Sequence, residues 1–175
     1  MLAEEFDIRI KDNFLNKEDF EKVVQEATSA KLQPKNLLYK NNQADHVWFT
    51  ADASKEVEEI VIKNSERFFN IEIEKLMLCK FSLVFKSGKV EAHRDNAEGV
   101  DFQSIIYIKG NEHIHCGTGF YTRTAEDNSV LNTHIGFREN RIVSWDPYVY
   151  HAPMSFTDEF KPRISLLTQY KLKGK

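Results

Sequence analysis

Arg163-Ile164-Ser165-Leu166-Leu167-Thr168-Gln169-Tyr170 reads as one unbroken strand. Side chains alternate across a strand, so Arg163 and Ser165 share one face while Ile164 and Leu166 point to the other. Working back toward the N-terminus, five more strand-like runs precede it: Lys75 to Phe85, Phe102 to Ile108, Gly117 to Tyr121, His134 to Phe137 and Arg141 to Trp145. Turn residues such as Ser87-Gly88-Lys89 separate these runs at short intervals, the spacing of a sandwich or barrel. The first half is mixed. Phe6-Asp7-Ile8-Arg9-Ile10 alternates like a short strand. Asn16 can cap a helix through Phe20, Val23, Val24 and Ala27, with Pro34 beyond its end. A second helix starts near Ser54, with Val57, Ile60, Val61, Phe68 and Phe69 on or near its buried face. Two helices followed by antiparallel-looking strands predict an α+β fold, mainly β, with the helices packed on one outer face of a sandwich.

Composition fits that reading. The 175 residues, 41% hydrophobic and 29% charged, are enough for one domain with its own core, and no linker or repeat divides residues 1–175. Thirteen Phe residues suit a β-rich core with rings between sheets. A net charge of −3 argues against a nucleic-acid partner, since phosphate binding draws on clustered Lys and Arg. The acidic start Met-Leu-Ala-Glu-Glu-Phe-Asp has no apolar signal segment, and no run is long enough to span a membrane. Cys79 and Cys116 cannot form a disulfide framework, which points to a reducing, cytoplasmic setting.

The metal-binding candidates begin with His93-Arg94-Asp95. At a strand end, positions i and i+2 point the same way, so an imidazole and a carboxylate stand on one face. They are two thirds of the facial triad that non-haem iron(II) oxygenases use, which leaves adjacent metal positions open. By itself His-x-Asp is common, and a surface turn accounts for it. The order of the later polar residues strengthens the metal reading. His151 lies just beyond a strand and the Asp146-Pro147 turn, and Arg163-x-Ser165 comes next. A guanidinium matches a carboxylate bidentately, and a hydroxyl adds a third bond. An inward Arg with no acidic neighbour in sequence needs an anion, which a dicarboxylate co-substrate would supply.

From about Phe81 to Tyr170 the chain resembles the 2-oxoglutarate/Fe(II) dioxygenase superfamily, in its prolyl-hydroxylase-like branch. Phe85-Lys86-Ser87-Gly88 before His93-Arg94-Asp95-Asn96 looks like the family's approach to its His-x-Asp, with Phe85 where the family often carries Tyr. Ser104-Ile105-Ile106-Tyr107-Ile108, Gly117-Thr118-Gly119-Phe120-Tyr121, Asn140 to Trp145 and His151-Ala152-Pro153 resemble the family's later strands and turns. The resemblance implies a double-stranded β-helix, or jelly roll. It implies Fe(II) on His93, Asp95 and His151. It also implies 2-oxoglutarate with its far carboxylate on Tyr107, Arg163 and Ser165, dioxygen as second co-substrate, and ascorbate as a possible reductant. Asn96 would orient a ligand from behind. The substrate expected by analogy is a peptide or amino-acid side chain that is hydroxylated, with a free small metabolite as the alternative; nothing in the sequence sets an oligomeric state.

Other readings of the same residues stay open. His113-Ile114-His115-Cys116 offers three metal ligands at most, too few for a zinc site, and reads more simply as an exposed hairpin. His134 and His46 read as ordinary surface or hydrogen-bonded histidines. Trp145, Tyr148 and Tyr150 fit packing or the rim of a substrate mouth. The polar stretch from Asn41, with Trp48 and Phe49 at its end, is either a lid or packing against the core. A cupin-like enzyme that uses no 2-oxoglutarate, and a non-catalytic metal-binding β-sandwich, are the remaining function classes. No nucleophile elbow or phosphate loop is present.

Overall fold

The computed structural model describes residues 7–34, 48–84, 92–95, 98–110, 112–114, 116–123, 129–155 and 162–174. Asn16 caps α1 (Lys17–Ser29), its side chain accepting from the Asp19 N–H at 3.0 Å. Ser54 caps α2 (Lys55–Phe69) in the same way, and Asn70 closes that helix in the left-handed region at φ 53°. Glu26 of α1 accepts from both the backbone N–H and the hydroxyl of Ser54, so the start of one helix is tied to the end of the other. Val23 and Ala27 of α1, and Val57, Val61 and Phe69 of α2, are buried.

The strands form two sheets. Seven of them, in the order β1 (Arg9–Lys11), β8 (Ile142–Trp145), β5 (Phe102–Lys109), β10 (Arg163–Leu172), β4 (Ile73–Val84), β3 (Trp48–Asp52) and β2 (Gln33–Pro34), make the larger sheet. The smaller one runs β7 (Ser129–Gly136), β6 (Cys116–Arg123), β9 (Tyr150–Ser155). Every pairing is antiparallel. The mostly β architecture, with antiparallel sheets facing each other, is the jelly roll that the sequence resemblance implies.

Strand alternation divides the core in two. On β10, Leu166 and Tyr170 face the helices and join Phe81, Ile106, Ile108, Val23 and Val61. The opposite face of the larger sheet meets the smaller sheet through Ile105, Tyr107, Phe120, Phe137, Val143 and Trp145. Arg163 and Ser165, out of phase with Leu166, therefore point between the sheets.

Three strands lie where the sequence reading placed none, the two-residue β2 among them. Tyr150–Ser155 is a strand, although Pro153 within it reads as a turn; it lies at the edge of its sheet, where proline is tolerated. Trp48–Asp52 is also a strand, antiparallel to β4 with Trp48 opposite Val84. Residues 41–47, which include His46, lie outside the described residues, as do 85–88, Asn96 and His115.

Candidate metal centre and anion cradle

His93 and His151 meet through a two-residue bridge: each backbone N–H donates to the other's carbonyl, at 3.0 and 2.9 Å. This brings the His-x-Asp segment beside β9, so the imidazoles lie on the same side with ring centroids 4.8 Å apart. Asp95 completes the group. Its Oδ1 is 3.7 Å from His93 Nε2 and its Oδ2 is 3.4 Å from His151 Nε2. One potential ligand atom from each of the three lies within 4.8 Å of the others, and among the described residues this is the only such cluster of His, Cys, Asp or Glu. His151 is 7% exposed, and its Nδ1 stands 3.0 Å from the Val149 carbonyl. A proton on Nδ1 satisfies that carbonyl and leaves the Nε2 lone pair facing the cluster, the usual way of fixing the tautomer of a metal-binding histidine. Two neutral nitrogens and a carboxylate suit a divalent first-row metal such as Fe(II).

Behind Asp95 sits Gln103, which is fully buried. With its amide turned so that each end faces a complementary partner, its nitrogen donates to Asp95 Oδ2 at 2.8 Å. Its oxygen then accepts from Trp145 Nε1 at 2.5 Å. The Trp145 indole also packs against His151, with centroids 4.9 Å apart, and against Phe120 at 5.2 Å.

The cluster opens on a cleft lined by His93, Asp95, His151, Trp48, Thr118 and Arg163, among others. Trp48 is 8% exposed and donates from Nε1 to Ser82 Oγ at 2.6 Å. It is thus part of the wall, held by a strand, rather than part of a movable lid. The opposite end is polar. Arg163 NH1 donates to the Gly117 carbonyl, while Arg163 Nε is enclosed and has no hydrogen-bond partner. Ser165 Oγ, one strand position inward along the same face, is also buried without a partner. No carboxylate among the described residues pairs with Arg163, and burial pulls its pKa below the usual guanidinium value. Two inward polar groups left unsatisfied in this way cost free energy unless something binds them. An anion with several oxygen acceptors fits that end.

Tyr107 stands one layer behind the cleft. Its hydroxyl donates to Thr118 Oγ1 at 2.8 Å, and its ring lies 5.6 Å from the Arg163 guanidinium. The threonine, not the tyrosine, lines the cleft, and burial pushes the phenol's pKa up. His93, Asp95, His151 and Arg163 thus share one cleft, with Ser165 and Tyr107 in the layer behind it. Sequence reasoning missed Gln103 and Thr118, while Trp48 takes the packing alternative it offered. A Gln at an inward-facing strand position is the one signal that could have found Gln103. His113 and Ile114 are exposed, with Ile114 at 73%, as a hairpin reading implies. Tyr148 is 65% exposed, and Tyr150 carries the Arg94 guanidinium over its ring at 4.2 Å.

No protein-family model and no curated protein matches the sequence. Solved structures do match. A prolyl-4-hydroxylase from Pseudomonas putida aligns with TM-score 0.61 at 12% identity, covering 97% of this chain and 94% of that one. A prolyl hydroxylase from Trichoplax adhaerens, in complex with a peptide of the hypoxia inducible factor oxygen degradation domain, gives 0.64 at 17% identity, over 94% and 83%. HygX from Streptomyces hygroscopicus, with nickel, 2-oxoglutarate and hygromycin B bound, gives 0.65 at 8% identity, over 97% and 84%. The shared fold is that of the 2-oxoglutarate/Fe(II) oxygenases, including prolyl hydroxylases.

Proposed function

We propose that residues 1–175 act as one non-haem Fe(II)- and 2-oxoglutarate-dependent dioxygenase domain that hydroxylates a C–H bond of a peptide or amino-acid side chain. One observation carries this reading: a His-Asp-His cluster and Arg163 line the same cleft, with Arg163 Nε and, in the layer just behind, Ser165 Oγ left unsatisfied. A cupin-like site or a non-catalytic module would have no use for the second element.

His93, Asp95 and His151 would hold Fe(II) on one side and leave the cleft side open. Arg163 and Ser165 would take the far carboxylate of 2-oxoglutarate, with Thr118 beside them and Tyr107 fixing the threonine hydroxyl. When bound, metal and co-substrate supply the oxidation: with dioxygen and a C–H substrate they yield succinate, carbon dioxide and the C–OH product. The protein's part is to bind, orient and exclude water. Trp48, Ile105, Trp145 and Leu167 line the cleft with apolar surface. Apart from Arg163 and the cluster itself, its described lining carries no charge, so it suits an uncharged C–H group.

The peptide-bound Trichoplax neighbour supports the substrate class, and the hygromycin-bound neighbour supports a free small molecule as the second reading. The net charge of −3 counts against nucleic acid. No helix among the described residues is long and apolar enough to cross a membrane. With two cysteines and no framework of disulfides, the cytoplasm is the proposed setting. Anaerobic Fe(II) titration and then succinate assays against peptides and metabolites test the reading. His93→Ala, Asp95→Ala and His151→Ala should each abolish tight Fe(II) binding and succinate formation with the fold intact. Undiminished iron affinity in His151→Ala would sink the metal assignment.

A further inference from the structure

The buried polar relay behind the cluster has no role in the proposed chemistry so far. With the Gln103 amide in its turned orientation, Trp145 Nε1 donates to Gln103 Oε1, and Gln103 Nε2 donates to Asp95 Oδ2, at 2.5 and 2.8 Å. Both residues are 0–1% exposed. Opposed register positions produce the arrangement, since Gln103 pairs with Trp145 across β5 and β8. Paired residues project from the same face, so the indole N–H and the carboxamide meet between the sheets.

We infer that Gln103 is a positioning residue that makes Asp95 a one-oxygen metal ligand, and that Trp145 sets Gln103 for this task. The inference rests on the metal reading of His93, Asp95 and His151. A carboxylate has two equivalent oxygens and can swing between one- and two-oxygen binding. A donor held on Oδ2, the oxygen 3.4 Å from His151 Nε2, engages that oxygen and favours Oδ1, which faces His93 Nε2 at 3.7 Å, as the metal ligand. A carboxamide is suited to the task because it donates at one end while accepting at the other. It also adds no charge beside the carboxylate. Trp145 closes the chain and packs on His151, so a single indole braces two of the three ligands. One-oxygen binding by Asp95 would take one ligand position fewer than two-oxygen binding and so leave room for dioxygen beside a co-substrate that chelates through a carboxylate and a keto oxygen.

Gln103→Met keeps the volume and removes both hydrogen bonds. Partners of this kind typically contribute ten- to a hundredfold in metal affinity. Co(II) titration of the metal-free protein should therefore show a fall of roughly ten- to a hundredfold, with a changed Co(II) visible absorption band. Trp145→Phe removes the indole N–H together with part of the ring that packs on His151, and should weaken Co(II) binding in the same direction. The double variant should lose less than the two single losses combined, because part of the Trp145 effect runs through Gln103. Metal affinity and absorption band unchanged in Trp145→Phe and Gln103→Met would overturn the inference. If Gln103→Met does not fold, Trp145→Phe alone decides: parental affinity and band overturn it, and a weakened, altered band supports it. His151→Ala in the same titration separates the two levels. If that variant binds Co(II) like the parent, the metal reading itself fails; if it loses binding while the relay variants do not, only the role of Gln103 falls.

Discussion

Arg163 shows how one side chain can be set by its surroundings to need a ligand. It makes one hydrogen bond to a backbone carbonyl, has no carboxylate partner among the described residues, and leaves Nε enclosed and unsatisfied. Arg163→Lys keeps the charge but loses the planar fork. Hydrogen bonds to a charged group contribute roughly 1.5–3 kcal/mol, so 2-oxoglutarate affinity should fall about ten- to a hundredfold. Ser165→Ala should cost less. Calorimetric titration of 2-oxoglutarate into the Mn(II)-loaded variants checks both, and unchanged affinity in Arg163→Ala would mean that the cradle holds something else. The phase of this residue was readable in sequence, because alternation alone places Arg163 and Ser165 opposite Ile164 and Leu166. Gln103 was not readable in the same way. Its meaning comes from a partner 42 positions away that only the strand register supplies.

At the scale of elements, the smaller sheet depends on Gly117. Its φ is +147°, and a Cβ there would stand 1.9 Å from the Ile135 carbonyl oxygen, inside the β6–β7 pairing. Gly117→Ala should therefore destabilise the protein by about 2–3 kcal/mol. Because the Gly117 carbonyl accepts from Arg163, the same variant should also weaken 2-oxoglutarate binding. Thermal melts and calorimetric titration of 2-oxoglutarate measure the two effects; a variant as stable as the parent would show that β6 and β7 can part without cost. Both helices were legible, since Asn16 and Ser54 announce their starts and the buried positions recur at three and four. The strand β9 was not, because a short segment with a proline reads as a turn. What makes it a strand is its partner β6, a long-range contact that local pattern does not carry. β7 begins at Ser129, earlier than its apolar pattern implies, for the same reason.

For the whole molecule, the N-terminal segment, paired with the larger sheet through β1, is also held by an ion-pair cluster. Arg141 Nε donates to Asp12 Oδ1 at 2.5 Å and its NH2 to Oδ2 at 3.0 Å, while Arg138 adds a bond at 2.9 Å. The hydrogen bond from Arg141 is the main cause that lowers the Asp12 pKa below 3.8. A carboxyl depressed on folding stabilises the protein above its unfolded pKa and loses that contribution as pH falls through the folded value. Asp12→Asn should thus cost on the order of 1–2 kcal/mol at neutral pH, allowing for partial solvent screening. The deficit should persist to about pH 5 and shrink below about pH 4, which urea unfolding at several pH values can track. A deficit that stays constant into acid would remove the charge from the explanation. The position of β10 has a last consequence. It is the latest strand in sequence, yet it lies between β4 and β5 and gives each of them a neighbour. On the ribosome, those two strands emerge early and wait, each with an unpaired edge, until the segment ending at Leu172 has been synthesised. The larger sheet can therefore close only after β10 has been made, and until then chaperones have exposed β-edges to shield.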